Sequence, residues 1–210
     1  MKERPILFSG AMVRALLNGS KTQTRRVVRP QPPAQAVDAG VIISNSASNG
    51  EWSWLDDPDL EWAGVVGEMF RCPYGVPGDR LWVRESFSIR DYDLSRLENL
   101  DPMAWYWAEG NPTAGNWTKP RPSIHMPRWA SRLTLEIVNV GVERLTRIRA
   151  SDCYDEGIRR PAPGAIGNEK VGFENAQRAY RELWDDLNAA RGFAWDTNPW
   201  VWVLTFRTVV

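Results

Sequence analysis

The apolar positions of this chain change period several times, and each change marks an element. Pro5 to Phe8 is a short apolar run that reads as a strand. After Ser9 and Gly10, the pairs Met12/Leu16 and Val13/Leu17 recur four residues apart, the spacing of one buried helical face. Asn18-Gly19 stops that helix, because both residue types tolerate the left-handed backbone of a helix end. From Thr22 the β-branched run to Arg29 predicts a strand, ended by Pro30, Pro32 and Pro33. Val41 to Ser44 and Glu51 to Leu55 read as hairpin strands, followed by a polar loop from Asp56 to Glu61. Pro77-Gly78-Asp79 is a turn, and along the strand after it Leu81 and Val83 alternate with Trp82 and Arg84.

Residues 90 to 131 are rich in proline and tryptophan and predict short strands and ordered loops, with His125 read as a packed loop residue. Arg132 to Val140 alternates, with Leu133, Leu135 and Ile137 on one face. Ser151 is read as the cap of a short helix that runs to Glu156 and stops at Gly157. The longest helical pattern, Phe173 to Ala190, carries Ala176, Tyr180, Leu183, Trp184 and Leu187 at helical spacing. Trp200 to Phe206 closes the chain as a strand, with Trp200 and Trp202 on one packing face. No repeat and no domain boundary emerges, so residues 1–210 are expected to form one domain. Strands separated by turns rather than by regular helices predict an α+β, mostly β fold: an antiparallel β-barrel decorated by two or three helices.

Composition narrows the chemistry. Twenty-six Lys and Arg balance twenty-six Asp and Glu, which argues against a protein that coats nucleic acid through bulk charge. Only Lys2, Lys21, Lys119 and Lys170 are lysines, so the cationic side is dominated by arginine and its planar, bidentate contacts. A single histidine excludes any two-imidazole mechanism and leaves histidine-based zinc sites with almost no ligands. Cys72 and Cys153 lie far apart and read as cytosolic thiols. With no signal peptide and no long apolar run, the expectation is a soluble, cytoplasmic protein without a membrane partner.

Three segments could carry chemistry. In Gly19-Ser20-Lys21-Thr22-Gln23-Thr24-Arg25-Arg26, a regular strand would point Lys21 and Thr24 to opposite faces, so they converge only if Lys21 still lies in the turn. A desolvated amine beside a hydroxyl suits acyl transfer; the plainer reading is a solvated basic turn. Asp152 and Glu156 share a helix face, and Glu156 sits at the negative end of the helix dipole, which suits a general acid; the plainer reading is a solvent-facing acidic turn. Glu85 is either a second functional carboxylate or the ion-pair partner of an arginine. The glycines of a phosphate-binding loop are missing.

Together these segments resemble the ASCH domain family, a branch of the PUA-like β-barrel superfamily. Gly19-Ser20-Lys21-Thr22-Gln23-Thr24-Arg25 resembles its G-x-K-x-x-T signature, Gly78-Asp79-Arg80-Leu81 its G-D-x-L strand, and Leu145 to Ile158 its short helix with a terminal acidic residue. The long helix and the closing Asn198-Pro199-Trp200 are similar to phage and prophage members, with 34–75 and 90–128 as insertions. The resemblance implies an amidohydrolase that removes the acyl group from a modified pyrimidine nucleoside of the N4-acetylcytidine kind, with Lys21, Thr24 and Glu156 as the catalytic set. Arg25, Arg26, Trp82 and Glu85 are then expected substrate contacts, and neither a cofactor nor a metal is expected. Other members are RNA-binding modules or ribonucleases, so the expected partner is a modified nucleoside or RNA, and a binding module without turnover is the competing reading.

Overall fold

The structure, a computed structural model, describes residues 1–34, 36–41, 51–56, 65–91, 103–161 and 169–209. In chain order the elements are β1 (Glu3–Leu7), α1 (Gly10–Leu17), β2 (Gln23–Val27), β3 (Asp38–Val41), β4 (Glu51–Leu55), β5 (Val65–Arg71), β6 (Arg80–Arg84), β7 (Phe87–Ile89), β8 (Ala104–Tyr106), β9 (Thr134–Arg144), α2 (Ala150–Asp155), α3 (Glu169–Asn188) and β10 (Trp200–Val209), with single 3-10 turns between several of them. The expected strand over 41–44 and the loop over 56–61 fall mostly outside the described residues. The fold is α+β and mostly β.

Alternating apolar residues build the main sheet, in the order β1-β6-β9-β10-β2. Every pairing is antiparallel except β1 with β6. The α1 crossover explains the placement of β1 and β2 at opposite edges, and among the described residues the sheets do not close into the expected barrel. A second sheet, β3-β4-β5, lies over one face of the first. Trp54 meets Trp200 at 5.1 Å between ring centroids, and Trp52 meets Trp202 at 5.6 Å, both edge-on. These tryptophans join Leu81, Leu135, Ile137 and Leu204 in the main core, whose burial is the chief stabilising term.

The other face of β10 is buried as well, beneath the helices. Val201 packs with Leu145, Cys153, Ala176, Tyr180 and Trp184. Ala176, Tyr180 and Trp184 recur four residues apart and form the inward stripe of α3. β9 runs on to Arg144, past the end of its visible alternation, because its ladder with β10 continues across a register shift at Thr205/Phe206. Among the described residues no helix is long and apolar enough to cross a membrane.

Local capping fixes the two turns that matter most. Ser9 caps α1, accepting from the Met12 N–H, and Gly19 at φ +75° takes the chain out of the helix. Ser151, expected to cap α2, lies inside it. The capping position falls to Arg149, whose N–H donates to the Asp152 carboxylate at 3.1 Å. At the other end Ile158 N–H donates to Cys153 O, and Gly157 N–H to Tyr154 O. This paired closure leaves Glu156 as the C-cap just past Asp155, with Gly157 left-handed at φ +97°. His125 is exposed in a 3-10 turn rather than packed.

Candidate functional site

The turn after α1 meets the end of α2. Lys21 N–H donates to Ala15 O, Thr22 N–H donates to Asp155 O, and Lys21 pairs with Glu156 as an isolated antiparallel bridge. Lys21 therefore precedes the regular part of β2, and the alternation that would separate it from Thr24 has not yet begun. A Cβ on residue 157 would lie 3.0 Å from Ala15 Cβ and 3.5 Å from Lys21 Cβ, so glycine is what allows this approach.

Lys21 and Glu156 are both buried, at 2% and 3% exposure. Lys21 Nζ donates to Gln23 O, Glu156 O and Glu156 Oε2, each at 2.8 Å. An ammonium has three protons and no lone pair, and here it meets three acceptors. Burial nevertheless pulls the Lys21 pKa down, and the Glu156 charge only partly opposes that. Lys21 therefore gives up a proton more readily than an exposed lysine does.

The second oxygen of the carboxylate is held too. Glu156 Oε1 accepts from Tyr180 Oη at 3.3 Å and from Arg25 Nη1 at 3.4 Å. Burial, followed by the charge on Glu156, pushes the Tyr180 phenol well above its usual range, so it remains a donor. Arg25 is further bound to Glu143 through Nε at 2.8 Å, to Gln23 Oε1 at 2.6 Å and to Asp152 at 3.1 Å. Burial works against its charge, but Glu156 leads the groups that outweigh it and raise its pKa. Asp152 and Glu156 do share a helix face, and what that face grips is Arg25. The guanidinium expected to meet substrate is committed to four protein groups.

Thr24 sits on β2 opposite Leu204 and is buried, and among the described residues its hydroxyl has no hydrogen-bond partner. It lines a cavity of about 680 Å³ together with Glu156, Arg26, Phe8, Tyr74 and Trp184. That volume is in the range of small-molecule sites. Lys21 is not on the cavity wall and reaches it through Glu156. Arg26 lies with its guanidinium 5.1 Å from the Phe8 ring centroid and donates through Nη2 to Leu7 O.

The structure does not bring Trp82 and Glu85 to this cavity. The Trp82 ring is flanked by the guanidinium groups of Arg84 at 5.1 Å and Arg128 at 5.9 Å. Glu85 accepts both Nε and Nη2 of Arg132, at 2.9 and 3.1 Å, and Arg132 also pairs with Glu109. Of the two readings of Glu85, the geometry matches the arginine partner. Burial raises its pKa despite Arg132.

Tyr180 and Glu143 complete the site, and no sequence motif marks either of them. Tyr180 sits in the apolar stripe of α3, where spacing gives its burial but not the destination of its hydroxyl. Among the described residues no three His, Cys, Asp or Glu side chains cluster as metal ligands. Comparison of the chain with protein-family models, curated proteins and solved structures gives no match.

Proposed function

We propose that this protein is an amidohydrolase that removes the acyl group from the exocyclic amine of a modified pyrimidine nucleoside of the N4-acetylcytidine kind, on a framework of the PUA-like ASCH type. One observation carries the reading: the buried contact of Lys21 Nζ with Glu156 Oε2, at 2.8 Å, backs a cavity whose wall carries both Glu156 and Thr24, whose hydroxyl has no partner among the described residues. Residues 21, 24 and 156 are the ones that the family resemblance assigns to catalysis.

In this mechanism the ammonium first passes a proton to Glu156, giving a neutral amine and a carboxylic acid. The Thr24 oxygen attacks the acyl carbonyl while Glu156, which lines the cavity, takes up the Thr24 proton and hands its own to the Lys21 amine behind it, so that Glu156 stays protonated. As the C–N bond breaks, Glu156 gives its proton to the leaving exocyclic amine. Water then hydrolyses the Thr24 ester, releasing the carboxylic acid and restoring the hydroxyl. Tyr180 and Arg25 hold Glu156 in place throughout, and Phe8, Tyr74 and Trp184 supply ring faces for the base.

A panel of acylated and unacylated pyrimidine nucleosides tests the assignment. Purified protein should release cytidine and acetate from N4-acetylcytidine, and binding of oligonucleotides without any turnover would instead favour the binding-module reading.

A further inference from the structure

We infer that the cavity takes a phosphorylated substrate, a pyrimidine nucleotide rather than a bare nucleoside, and that Arg29 and Arg191, assisted by Arg26, hold the phosphate. The inference rests on the reading above for the base and extends it to the charge of the ligand.

Four arginines line this cavity: Arg25, Arg26, Arg29 and Arg191. Their situations differ. Arg25 is saturated by Gln23, Glu143, Asp152 and Glu156. Among the described residues none of the other three has a carboxylate within ion-pair distance, and Glu156, the lining carboxylate, is already matched by Lys21 and Arg25. A chain with zero formal charge thus concentrates uncompensated cations in one concave place. A low-polarity cleft lined by one sign of charge focuses that field on its ligand.

The arginines are also presented in a way that suits phosphate. The Arg29 guanidinium lies 4.8 Å over the Phe193 ring and that of Arg26 lies 5.1 Å over Phe8. Stacking occupies the flat face and leaves N–H edges for a planar, two-point contact with oxygens. Arg26 Nε is buried and has no partner among the described residues, which is costly unless a ligand supplies an acceptor.

Both supporting segments are pinned. The Gln31 side chain, just beyond Arg29, accepts from Trp200 N–H and donates to Val28 O and Trp200 O. On the opposite side, α3 ends in a 3-10 turn, Ala189–Arg191, and Gly192 at φ +83° turns the chain so that Phe193 comes under Arg29. Trp184 Nε1 fixes that loop by donating to Phe193 O at 2.8 Å. Arg191 and Arg29 thus arrive from two elements at one end of the cavity. A neutral nucleoside offers these groups acceptors without charge, whereas a phosphate offers both charge and acceptors.

Calorimetric titration of the full chain with cytidine, CMP and the dinucleotide CpC tests this. CMP or CpC should bind about tenfold or more tighter than cytidine at low salt, as expected for charged hydrogen bonds. The advantage should shrink in added salt and approach one in an Arg29→Gln/Arg191→Gln protein whose melting is unchanged. CMP ahead of CpC identifies a free nucleotide, CpC ahead of CMP a residue within RNA, and both support the subsite. Equal affinity for cytidine and the phosphorylated ligands, or an advantage that survives the double substitution, overturns it. Turnover of N4-acetylcytidine and its 5′-monophosphate is scored separately. Phosphate-dependent binding without turnover removes the deacylase and keeps the subsite, whereas turnover of both with equal kcat/KM and equal binding does the reverse.

Discussion

Lys21 Nζ lies 2.8 Å from Glu156 Oε2, across 135 positions of sequence, with both side chains closed to solvent. The two partners are not equally replaceable. Glu156 keeps Arg25 and Tyr180 if Lys21 is lost, whereas Lys21 has no other charged acceptor in its hydrogen-bond set. Glu156→Leu should therefore destabilise the protein by about 3–5 kcal/mol, the usual cost of stranding a buried charge, and Lys21→Met by clearly less. Urea unfolding of the two single variants and the double variant measures this, and the double should cost less than the sum.

Burial lowers the Lys21 pKa from its ordinary value of 10.5, so the native protein releases this proton more readily than the unfolded chain does. The linked stability is complete above 10.5 and is lost as pH falls through the native value. Wild-type stability, compared with that of Lys21→Met, should accordingly rise with pH across the alkaline window below 10.5. Chemical unfolding over a pH series reads the difference, and a difference that stays flat or falls contradicts the shift.

Thr24 contributes a hydroxyl with no protein partner among the described residues, so removing it sacrifices no internal hydrogen bond. Thr24→Val should melt within a few degrees of wild type and yet lose turnover on the order of 10³-fold, while Thr24→Ser keeps measurable activity. Parallel thermal melts and initial rates separate the two effects. A Val variant that is both stable and active would remove Thr24 from the chemistry.

Gly157 combines a positive φ with a Cβ direction pointing at Ala15 and Lys21. Gly157→Ala should cost about 1–3 kcal/mol from backbone strain alone. It should also loosen the Lys21 contact, so that turnover falls further than stability does. Denaturant midpoints and rates on the same preparations show whether the loss of turnover exceeds the loss of folded protein.

How far these features could be read in advance depended on the range of the interaction. Leu133, Leu135 and Ile137 on β9, Leu81 and Val83 on β6, and the α1 stop at Asn18-Gly19 follow local periodicity and turn chemistry, and the chain displays them directly. The position of Lys21 ahead of the regular strand followed from the same logic, since the helix stop leaves it in the turn. The contact with Glu156 did not, because it depends on α2 returning to the start of β2. Arg25 was misleading for a related reason: an arginine beside a candidate site suggests a phosphate contact, but β2 and β9 flank β10 and so bring Glu143 within its reach. The open sheet edges among the described residues have the same origin, because strand alternation gives the buried face of β1 and β2 but not whether two edges meet. The cap of α2 falls at Arg149 rather than Ser151 because the helix starts two residues earlier, which side-chain type alone does not fix.

The most direct test of the account is the steady-state rate of cytidine release from N4-acetylcytidine by wild-type protein beside Lys21→Met, with both confirmed folded by circular dichroism. The account predicts time-dependent release by wild type and loss of at least about 10²-fold in the variant. Full activity in Lys21→Met, or no release by well-folded wild type, would contradict it.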